Sequence, residues 1–458
     1  MTTISDVPVP TSSPDLPPVE RHAALPAGFK AGGLAAGIKA SGRPDLAVIV
    51  TTDGPAAAAA VFTPNTFAAA PVRLSRAHLA ATSGDARGGF GWAEAIISTS
   101  GSANAATGPA GDADQLEIAG LLAGATGATL ERTLHLSTGI IGTRLPLERV
   151  AAGLDALVPI LAAGDDALEA VAGALCTTDS VVKTATTTVA LPTAGGGSVE
   201  VTVSGIAKGV GMIHPQMATM LSVLLTDATA APETLWRLLR PAAARTWNQL
   251  SIDGDTSTND TVFLLASGAA GGAAVEPGTA AAQALGAAIE AVARDLARQQ
   301  AADGEGASTL ITTVVTGARD DAEARAVARS VVSSSLVKAA AHGRDPNWGR
   351  IAGAAGNARL ATTAVLEAAG IEPAEAATRA GTPVALDPER LRIWVVGHLV
   401  FDGSRGGPVA FDRTAARAAM NAPEVVFALD LGLGTGTGEG FGCDLTEAYV
   451  IENSEYTT

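Results

Sequence analysis

The stretch KGVGMIHPQMATML, residues 208–221, contains the residue types that most clearly suggest chemistry. Its glycines and proline lead to Ala218 and Thr219, and the following TMLSVLLTDA predicts a buried β-strand. A threonine hydroxyl is a poor nucleophile until a base removes its proton. If the Ala218–Thr219 bond were cleaved, the new α-amino group, with an unperturbed pKa of about 7.7–8.0, would lie beside that hydroxyl and serve as the base. The same pattern is also typical of an ordinary glycine loop before a strand.

The elements around this stretch predict an α/β protein with layers rather than a simple parallel βαβ wheel. Short β-branched runs alternate with alanine-rich helical patterns, including residues 148–175, broken near Gly164, and a long helix over 279–300. TATTTVALPT and SVEVTVSGIA, joined by AGGG, predict a β-hairpin that leads directly into residue 208. RIWVVGHLV and EVVFALDLG predict late strands.

Other glycine-rich and acidic motifs do not indicate a nucleotide or metal site. GVG at 209–211 precedes a strand, and GLGTGTGEG at 432–440 opens no evident helix, so the helix N-terminus that binds phosphate is missing from both. The six histidines lack close metal-ligand spacing. SIDGDTSTND, which contains Asp253, Asp255 and Asp260, lacks the spacing of an EF-hand, so we expect turn and capping roles and no metal.

Composition excludes several classes of protein. The chain has 458 residues, a formal net charge of -16 and a pI near 4.8, which argues against nucleic-acid binding. Only two cysteines occur, so a reducing cytoplasm is expected. No apolar run reaches the roughly 18–20 residues that span a bilayer. The N-terminus lacks signal-peptide features, and its Pro and Ser content predicts a mobile tail over residues 1–25.

The 208–221 stretch resembles the autoprocessing motif of the ornithine acetyltransferase (glutamate N-acetyltransferase) family of arginine biosynthesis. Six further blocks resemble that family in the same order, and together they span nearly the whole chain: STGIIGTRLP at 137–146, TTD at 177–179, SIDGDTSTNDTV at 251–262, DGEGAS at 303–308, LVKAAAHGRDPNWGRI at 336–351 and the C-terminal GCDLTEAYVIENSEYTT. The resemblance implies a layered α-β-β-α architecture of the N-terminal-nucleophile type. It also implies self-cleavage into an α chain, 26–218, and a β chain, 219–458, assembled as α2β2.

The resemblance also assigns roles to residues. Thr219 would be the nucleophile, freed by cleavage after Ala218, while the Thr138 hydroxyl and the Gly139 N–H would form the oxyanion hole. The positions that match substrate-binding residues of the family are Thr177, Lys208, Thr219, Glu305, Asn453 and Thr458. Lys208 would bind the α-carboxylate and Glu305 the terminal ammonium of ornithine. Without the resemblance, Lys208 also fits a solvated loop lysine and Glu305 an exposed turn acid. Asn453 and Thr458 also fit a frayed C-terminus.

The implied reaction moves the acetyl group of N-acetylornithine to Thr219, releases ornithine and then forms N-acetylglutamate from glutamate. It needs no cofactor, and the sequence leaves open acetyl-CoA as a second donor. The alternatives are a self-processing aminopeptidase or amidase on a related scaffold, an antibiotic-pathway relative with another acyl acceptor, and a binding protein that kept the fold.

Three features leave questions open. STSGSANAATG at 98–108 has serines where the family usually has two asparagines, which puts the donor and acceptor specificity in question. His214 lies near the cleavage bond and is a candidate base for the first cleavage, before the α-amine exists. Trp348 is expected to pack rather than to contact substrate.

Overall fold

The structure, a computed structural model, describes residue 9 and residues 15–214 and 220–454. Ala218, Thr219 and Thr458 therefore lie outside the described residues.

The described chain forms three sheets with helices between and around them. The strands are β1 (Phe29–Leu34), β2 (Leu46–Thr51), β3 (Ala56–Phe62), β4 (Phe90–Ala93), β5 (Ala95–Ser102), β6 (Thr133–Ile140), β7 (Lys183–Pro192), β8 (Ser198–Lys208), β9 (Leu221–Thr226), β10 (Leu250–Ser251), β11 (Thr261–Ala266), β12 (Leu310–Ala318), β13 (Arg392–Val395), β14 (His398–Asp402), β15 (Gly407–Pro408), β16 (Glu424–Asp430) and β17 (Gly436–Cys443). The helices are α1 (Ala70–Ser83), α2 (Gly108–Thr126), α3 (Leu147–Leu157), α4 (Asp165–Leu175), α5 (Pro232–Arg245), α6 (Ala280–Ala302), α7 (Asp321–Ser333), α8 (Ser335–His342), α9 (Trp348–Gly356), α10 (Thr363–Ala368), α11 (Pro373–Arg379), α12 (Arg413–Ala419) and α13 (Glu447–Ser454).

A six-stranded sheet carries the stretch that drew attention in the sequence. Its strand order is β4-β3-β11-β9-β8-β7. The predicted hairpin is confirmed, because β7 and β8 pair antiparallel from Lys183 opposite Ala207 to Pro192 opposite Ser198. The predicted strand after Thr219 is also confirmed: β9 begins at Leu221, is buried throughout and lies parallel to β11.

The faces of this sheet build two separate cores, because successive strand residues point to opposite sides. Ala57 and Ala59 of β3 pack in a core with helices α5 and α6. Ala58 and Ala60 pack in a second core, which is shared with α1, α4 and the four-stranded sheet β1-β2-β5-β6. Helices α2 and α3 cover the outer face of that smaller sheet. The predicted layered α/β class is confirmed.

The seven-stranded sheet has the order β10-β17-β12-β16-β13-β14-β15. RIWVVGHLV was predicted as one strand and is two, because Val396 and Gly397 both have positive φ, +42° and +84°, and turn the chain back in a tight hairpin. The glycines of 432–440 lead into β17 and lie against α7: a β-carbon at Gly438 would be 2.6 Å from the Arg325 backbone nitrogen. This glycine run therefore permits close helix–sheet packing.

The start of the chain contacts the body before residue 25. Glu20 pairs with Thr186 of β7, Arg21 forms an ion pair with Asp295 of α6, and Ala23 is buried. These contacts place the beginning of the folded body inside the segment that was expected to be a tail. Among the helices that the structure describes, none is long and apolar enough to cross a membrane.

Candidate active site

A cavity of about 370 Å³ gathers the predicted site residues that the structure describes. The ends of β6 and β8, the segment after α4, the loop before β12 and helix α13 meet here, and they contribute Thr138, Gly139, Thr177, Lys208, Glu305 and Asn453. Met220 and Leu221, which follow Thr219 in the sequence, also line the cavity. Residues from five separate segments of the chain therefore lie around one space of amino-acid size.

Thr138 and Gly139 lie near the end of β6, where this strand runs parallel to β5. Gly139 has φ +128°, and a β-carbon there would be 2.4 Å from the carbonyl carbon of Gly101. Only glycine fits this close approach without a backbone shift. The local geometry thus explains why a glycine follows Thr138 at the cavity wall.

Lys208 is the last residue of β8, and it contacts Thr138 directly. Its Nζ donates a hydrogen bond to Thr138 Oγ1 at 2.9 Å. Because an ammonium group has only donors, the Thr138 hydroxyl must be the acceptor, and its own hydrogen remains for another acceptor in the cavity. Burial lowers the pKa of Lys208 below its usual value, although nearby Asp179 acts in the opposite direction. The pair presents a polarised O–H beside a buried cation.

Asp179 connects three parts of the site. It is the last residue of the TTD block at 177–179, and the sequence assigned it no role of its own. It accepts hydrogen bonds from the backbone N–H groups of Thr177 and Gly209, at 3.0 and 2.9 Å, and from Lys183 Nζ at 2.7 Å. Burial alone would raise its pKa, but Lys208 and Lys183 outweigh that effect and lower the pKa to about 2. Asp179 is therefore an ionised carboxylate that positions the residues on either side of Lys208.

Asp253 and Asp260 differ from each other in role. Asp253 accepts hydrogen bonds from the backbone N–H groups of Met212 and Ile213, and of Asp255 two residues on, as the turn prediction expected. Asp260 lines the cavity, and its Oδ2 is buried without a hydrogen-bond partner among the described residues. Burial raises its pKa well above the usual value. A turn or capping role alone does not account for Asp260. No cluster of metal-ligand type occurs in the described chain.

Glu305 lies in the DGEG loop and faces the cavity with a nearly buried carboxylate. Oε1 accepts from the Thr178 hydroxyl at 2.8 Å and Oε2 from Asn453 Nδ2 at 3.0 Å. Its backbone N–H donates to the Val210 carbonyl at 2.8 Å, which ties this loop to the glycine stretch. No described Lys or Arg forms an ion pair with Glu305, so its charge is free for a cationic ligand.

The C-terminal segment brings Asn453 to the site on a helix rather than on a frayed end. Helix α13 has no fully buried residue, yet Asn453 reaches Glu305 across 148 positions of sequence. The ordinary reading of a terminus as frayed is wrong for residues 447–454. Thr458, predicted to bind substrate, lies outside the described residues.

None of the three serines of 98–108 lines the cavity. Ser100 donates to the Ala174 carbonyl at 2.6 Å, and Ser102 donates to the Thr143 carbonyl at 2.7 Å. Within this stretch only Ala103 lines the cavity. Ser100 therefore ties β5 to the end of α4, and Ser102 ties the end of β5 to the loop after β6.

His214 and Trp348 lie away from this cavity. His214 Nδ1 is 3.1 Å from the Ser251 hydroxyl, and burial, with Arg329 and Lys338 nearby, lowers the pKa of His214 to about 3. Its ring lines a different cavity. Trp348 packs against Phe401 with ring centres 5.1 Å apart, which confirms the expected packing role.

Comparison with known proteins identifies the family of the chain. The ArgJ family model matches residues 30–458. The chain is 43% identical to the arginine biosynthesis bifunctional protein ArgJ of Thermosynechococcus vestitus, over 94% of this chain and 96% of the relative. It is 41% identical to ArgJ of Thermus thermophilus, over 95% and 99%. A crystal structure of ornithine acetyltransferase complexed with ornithine, from Mycobacterium tuberculosis, is 38% identical over 43% of this chain and 97% of that chain, with a TM-score of 0.37. The predicted family is confirmed: this chain belongs to the ArgJ family.

Proposed function

We propose that the protein is a glutamate N-acetyltransferase that moves the acetyl group of N-acetylornithine to glutamate through an acetyl ester on Thr219. The observation that carries this proposal is the contact between Lys208 Nζ and Thr138 Oγ1 in the cavity that Met220 and Leu221 also line. Membership of the ArgJ family, whose curated relatives are named arginine biosynthesis bifunctional proteins, supports the acetyltransferase activity.

In the first half-reaction, Lys208 binds the α-carboxylate of N-acetylornithine and Glu305 binds its terminal ammonium. The α-amine of Thr219 takes the hydroxyl proton as Oγ1 attacks the acetyl carbonyl. The Thr138 O–H and the Gly139 N–H stabilise the oxyanion of the tetrahedral intermediate. When the amide C–N bond breaks, the proton passes to the leaving nitrogen, ornithine departs and the acetyl ester of Thr219 remains.

In the second half-reaction, glutamate binds in the same place because it has the same α-amino and α-carboxylate groups. Its α-amine attacks the ester carbonyl, the Thr219 oxygen leaves and recovers a proton, and N-acetylglutamate is released. One buried Lys208 serves the carboxylate of both amino acids. Both substrates therefore use the site in turn, which gives ping-pong kinetics.

Before any turnover, cleavage between Ala218 and Thr219 must create the α-amine. We propose that the chain cleaves itself into residues 1–218 and 219–458, that the two fragments assemble as α2β2 in the cytoplasm, and that Thr177 and Thr458 complete the substrate contacts. The two cysteines, Cys176 and Cys443, are free buried thiols, which fits a reducing compartment. The relatives' name, bifunctional protein, supports a second activity, and we propose that this activity transfers the acetyl group of acetyl-CoA to glutamate.

Product analysis tests the proposed reaction. Purified protein given N-acetylornithine and glutamate should form ornithine and N-acetylglutamate in equal amounts. Acetate as the only acetyl product, unaffected by glutamate, would identify the aminopeptidase or amidase alternative. Acetylation of another amine in place of glutamate would identify a relative with a different acceptor.

A further inference from the structure

A second cavity, of about 1260 Å³, lies beyond the glycine stretch and is far larger than the first. Ile213 lines the first cavity and His214 lines the second, so these two consecutive residues connect the cavities along the chain. The side chains that characterise the second cavity are those of Arg329, Arg350, Arg359, Ser330 and Ser333. No described residue that lines it is an Asp or a Glu. We call it the arginine cavity.

Arg329, on α7, is the most unusual of these residues. Its Nε and Nη2 are buried and have no hydrogen-bond partner in the part of the chain that the structure describes. Burial lowers the pKa of Arg329 to about 10, and no carboxylate offsets this effect. A buried charge without a partner is strongly destabilising, so such groups normally have a counter-ion.

Three other partly buried arginines of this protein have counter-ions, whereas Arg240 and Arg325 form no ion pair among the described residues. Arg245 pairs with Glu290, Arg294 with Glu439, and Arg298 with Glu424. In contrast, Arg350 donates to the Leu336 carbonyl at 2.8 Å and Arg359 to the Gly381 carbonyl at 3.2 Å, and neither pairs with a described carboxylate. Three cations without carboxylates, in a chain of net charge -16, indicate a site for an anion.

Guanidinium groups and serine hydroxyls together are suited to phosphate oxygens, which arginine binds through two parallel N–H bonds. A cavity of this volume holds a nucleotide-sized ligand, whereas the first cavity has room only for an amino-acid-sized one. We propose that the arginine cavity binds the phosphate groups of acetyl-CoA, placing this second acetyl donor beside His214. The proposal rests on the proposed function, since it gives acetyl-CoA a binding site separate from that of the amino acids.

Calorimetric titration of the intact purified protein with coenzyme A and with sodium pyrophosphate tests this site. We expect both to bind and to compete with each other, with affinities that fall as salt increases. Arg329→Gln and Arg350→Gln should each weaken both ligands about tenfold or more, because each removes a charge-assisted contact. Arg149→Gln is the matched control: Arg149 also donates to a backbone carbonyl, that of Gly37, but lies on α3 away from the cavity, and binding should not change.

Each outcome decides between alternatives. If both arginine variants bind coenzyme A as the wild type does, the site is wrong. If they weaken pyrophosphate alone, the cavity holds a free phosphate species and its assignment to acetyl-CoA is wrong. Arg350 is partly exposed, so its variant should fold even if loss of the more buried Arg329 prevents folding.

Activity measurements separate this proposal from the proposed function. In Arg350→Gln, the KM for acetyl-CoA should rise about tenfold or more, whereas transfer from N-acetylornithine to glutamate should stay within about twofold of the wild type. Equal loss of both activities would contradict separate sites. Absence of acetylornithine-dependent transfer in the wild type would contradict the proposed function, while leaving the titration with pyrophosphate and coenzyme A to judge the arginine cavity.

Discussion

The two cavities differ in how the protein balances their cations. Around Lys208, carboxylates of Asp179, Asp260 and Glu305 lie in or beside the first cavity, whereas Arg329 faces a cavity that no described carboxylate lines. A zwitterionic amino acid brings one charge of each sign, so its site needs both signs in fixed places. A polyanion brings only negative charge, so its site gains affinity from cations that the protein leaves without partners. The difference in charge balance therefore indicates a difference in ligand.

The largest effect should come from the oxyanion hole of the first cavity. Thr138→Ala removes a hydroxyl that accepts a hydrogen bond from Lys208. The variant therefore also loses the O–H that we propose donates to the oxyanion. We expect turnover to fall about 10²–10³-fold, the usual result of losing one such donor. Steady-state rates with N-acetylornithine and glutamate, together with the thermal unfolding temperature, measure the effect and check folding.

Ser137→Ala is the matched control for Thr138→Ala. The Ser137 hydroxyl lies on the same strand, bonds to the Thr99 hydroxyl at 2.7 Å and does not line the cavity. Its loss should leave turnover nearly unchanged. Wild-type turnover in Thr138→Ala would remove Thr138 from the oxyanion hole.

The next effect should distinguish the two amino-acid substrates. Glu305→Gln has nearly the same shape and keeps one acceptor oxygen, but it replaces the other oxygen with an NH2 donor and removes the charge that we assign to the terminal ammonium of ornithine. The KM for N-acetylornithine should rise about tenfold to a hundredfold, the range of one charge-assisted hydrogen bond. The KM for glutamate should change less, because glutamate has no terminal ammonium. An equal rise for both substrates would contradict the assignment of Glu305.

A smaller effect should appear in the pH dependence. Asp179 raises the pKa of the buried Lys208, so Asp179→Asn should lower that pKa further. Because Lys208 binds carboxylates only when protonated, the alkaline limb of the profile of 1/KM against pH should move to lower pH, while binding at acid pH is retained. Measuring KM for glutamate from pH 6 to 10 reveals the shift.

Asp303→Asn provides the control for this shift. Asp303 bonds to Lys183 Nζ at 2.6 Å, as Asp179 does, but is not among the charges that act most strongly on Lys208. Its loss should leave the alkaline limb in place. Identical shifts in both variants would mean that Lys183, rather than Lys208, sets the pH dependence.

The smallest effect should come from His214, at the border of the arginine cavity. With a pKa lowered to about 3, its ring is neutral at pH 7 and a weak base, and weak bases contribute little to proton transfer. Freshly produced His214→Gln should therefore still separate into two fragments on a denaturing gel. An uncleaved but folded variant would restore His214 as the base for the first cleavage.

Much of the fold was accessible from sequence because strands and helices have different hydrophobic periods. The β7–β8 hairpin, the strand after Thr219 and the break near Gly164 followed from local patterns. The turn at Val396 and Gly397 was missed because a valine with positive φ gives no turn signal. The strand at 436–443 was missed because its glycines allow close contact with α7. That helix is distant in the sequence, so the local pattern does not reveal the contact.

The site was less accessible because its contacts join distant parts of the chain. Residues that match the family, such as Lys208 and Glu305, were found through the resemblance. Asp260 was read as a turn residue, since local sequence does not show that its carboxylate is buried in a cavity. The arginine cavity was missed for a related reason. In the sequence Arg329 is indistinguishable from an exposed helix arginine, and only the structure shows that its Nε and Nη2 atoms are buried without a partner among the described residues.

The most direct test of the central claim is the chemical state of Thr219 after exposure to the donor alone. The purified protein is incubated with N-acetylornithine, quenched in acid and analysed by mass spectrometry of its intact fragments and of the peptide that begins at residue 219. The account predicts two fragments, 1–218 and 219–458, with one acetyl group on Thr219 and ornithine already released. A single uncleaved, fully active chain, or a peptide without acetyl together with intersecting rather than parallel double-reciprocal lines, would contradict it.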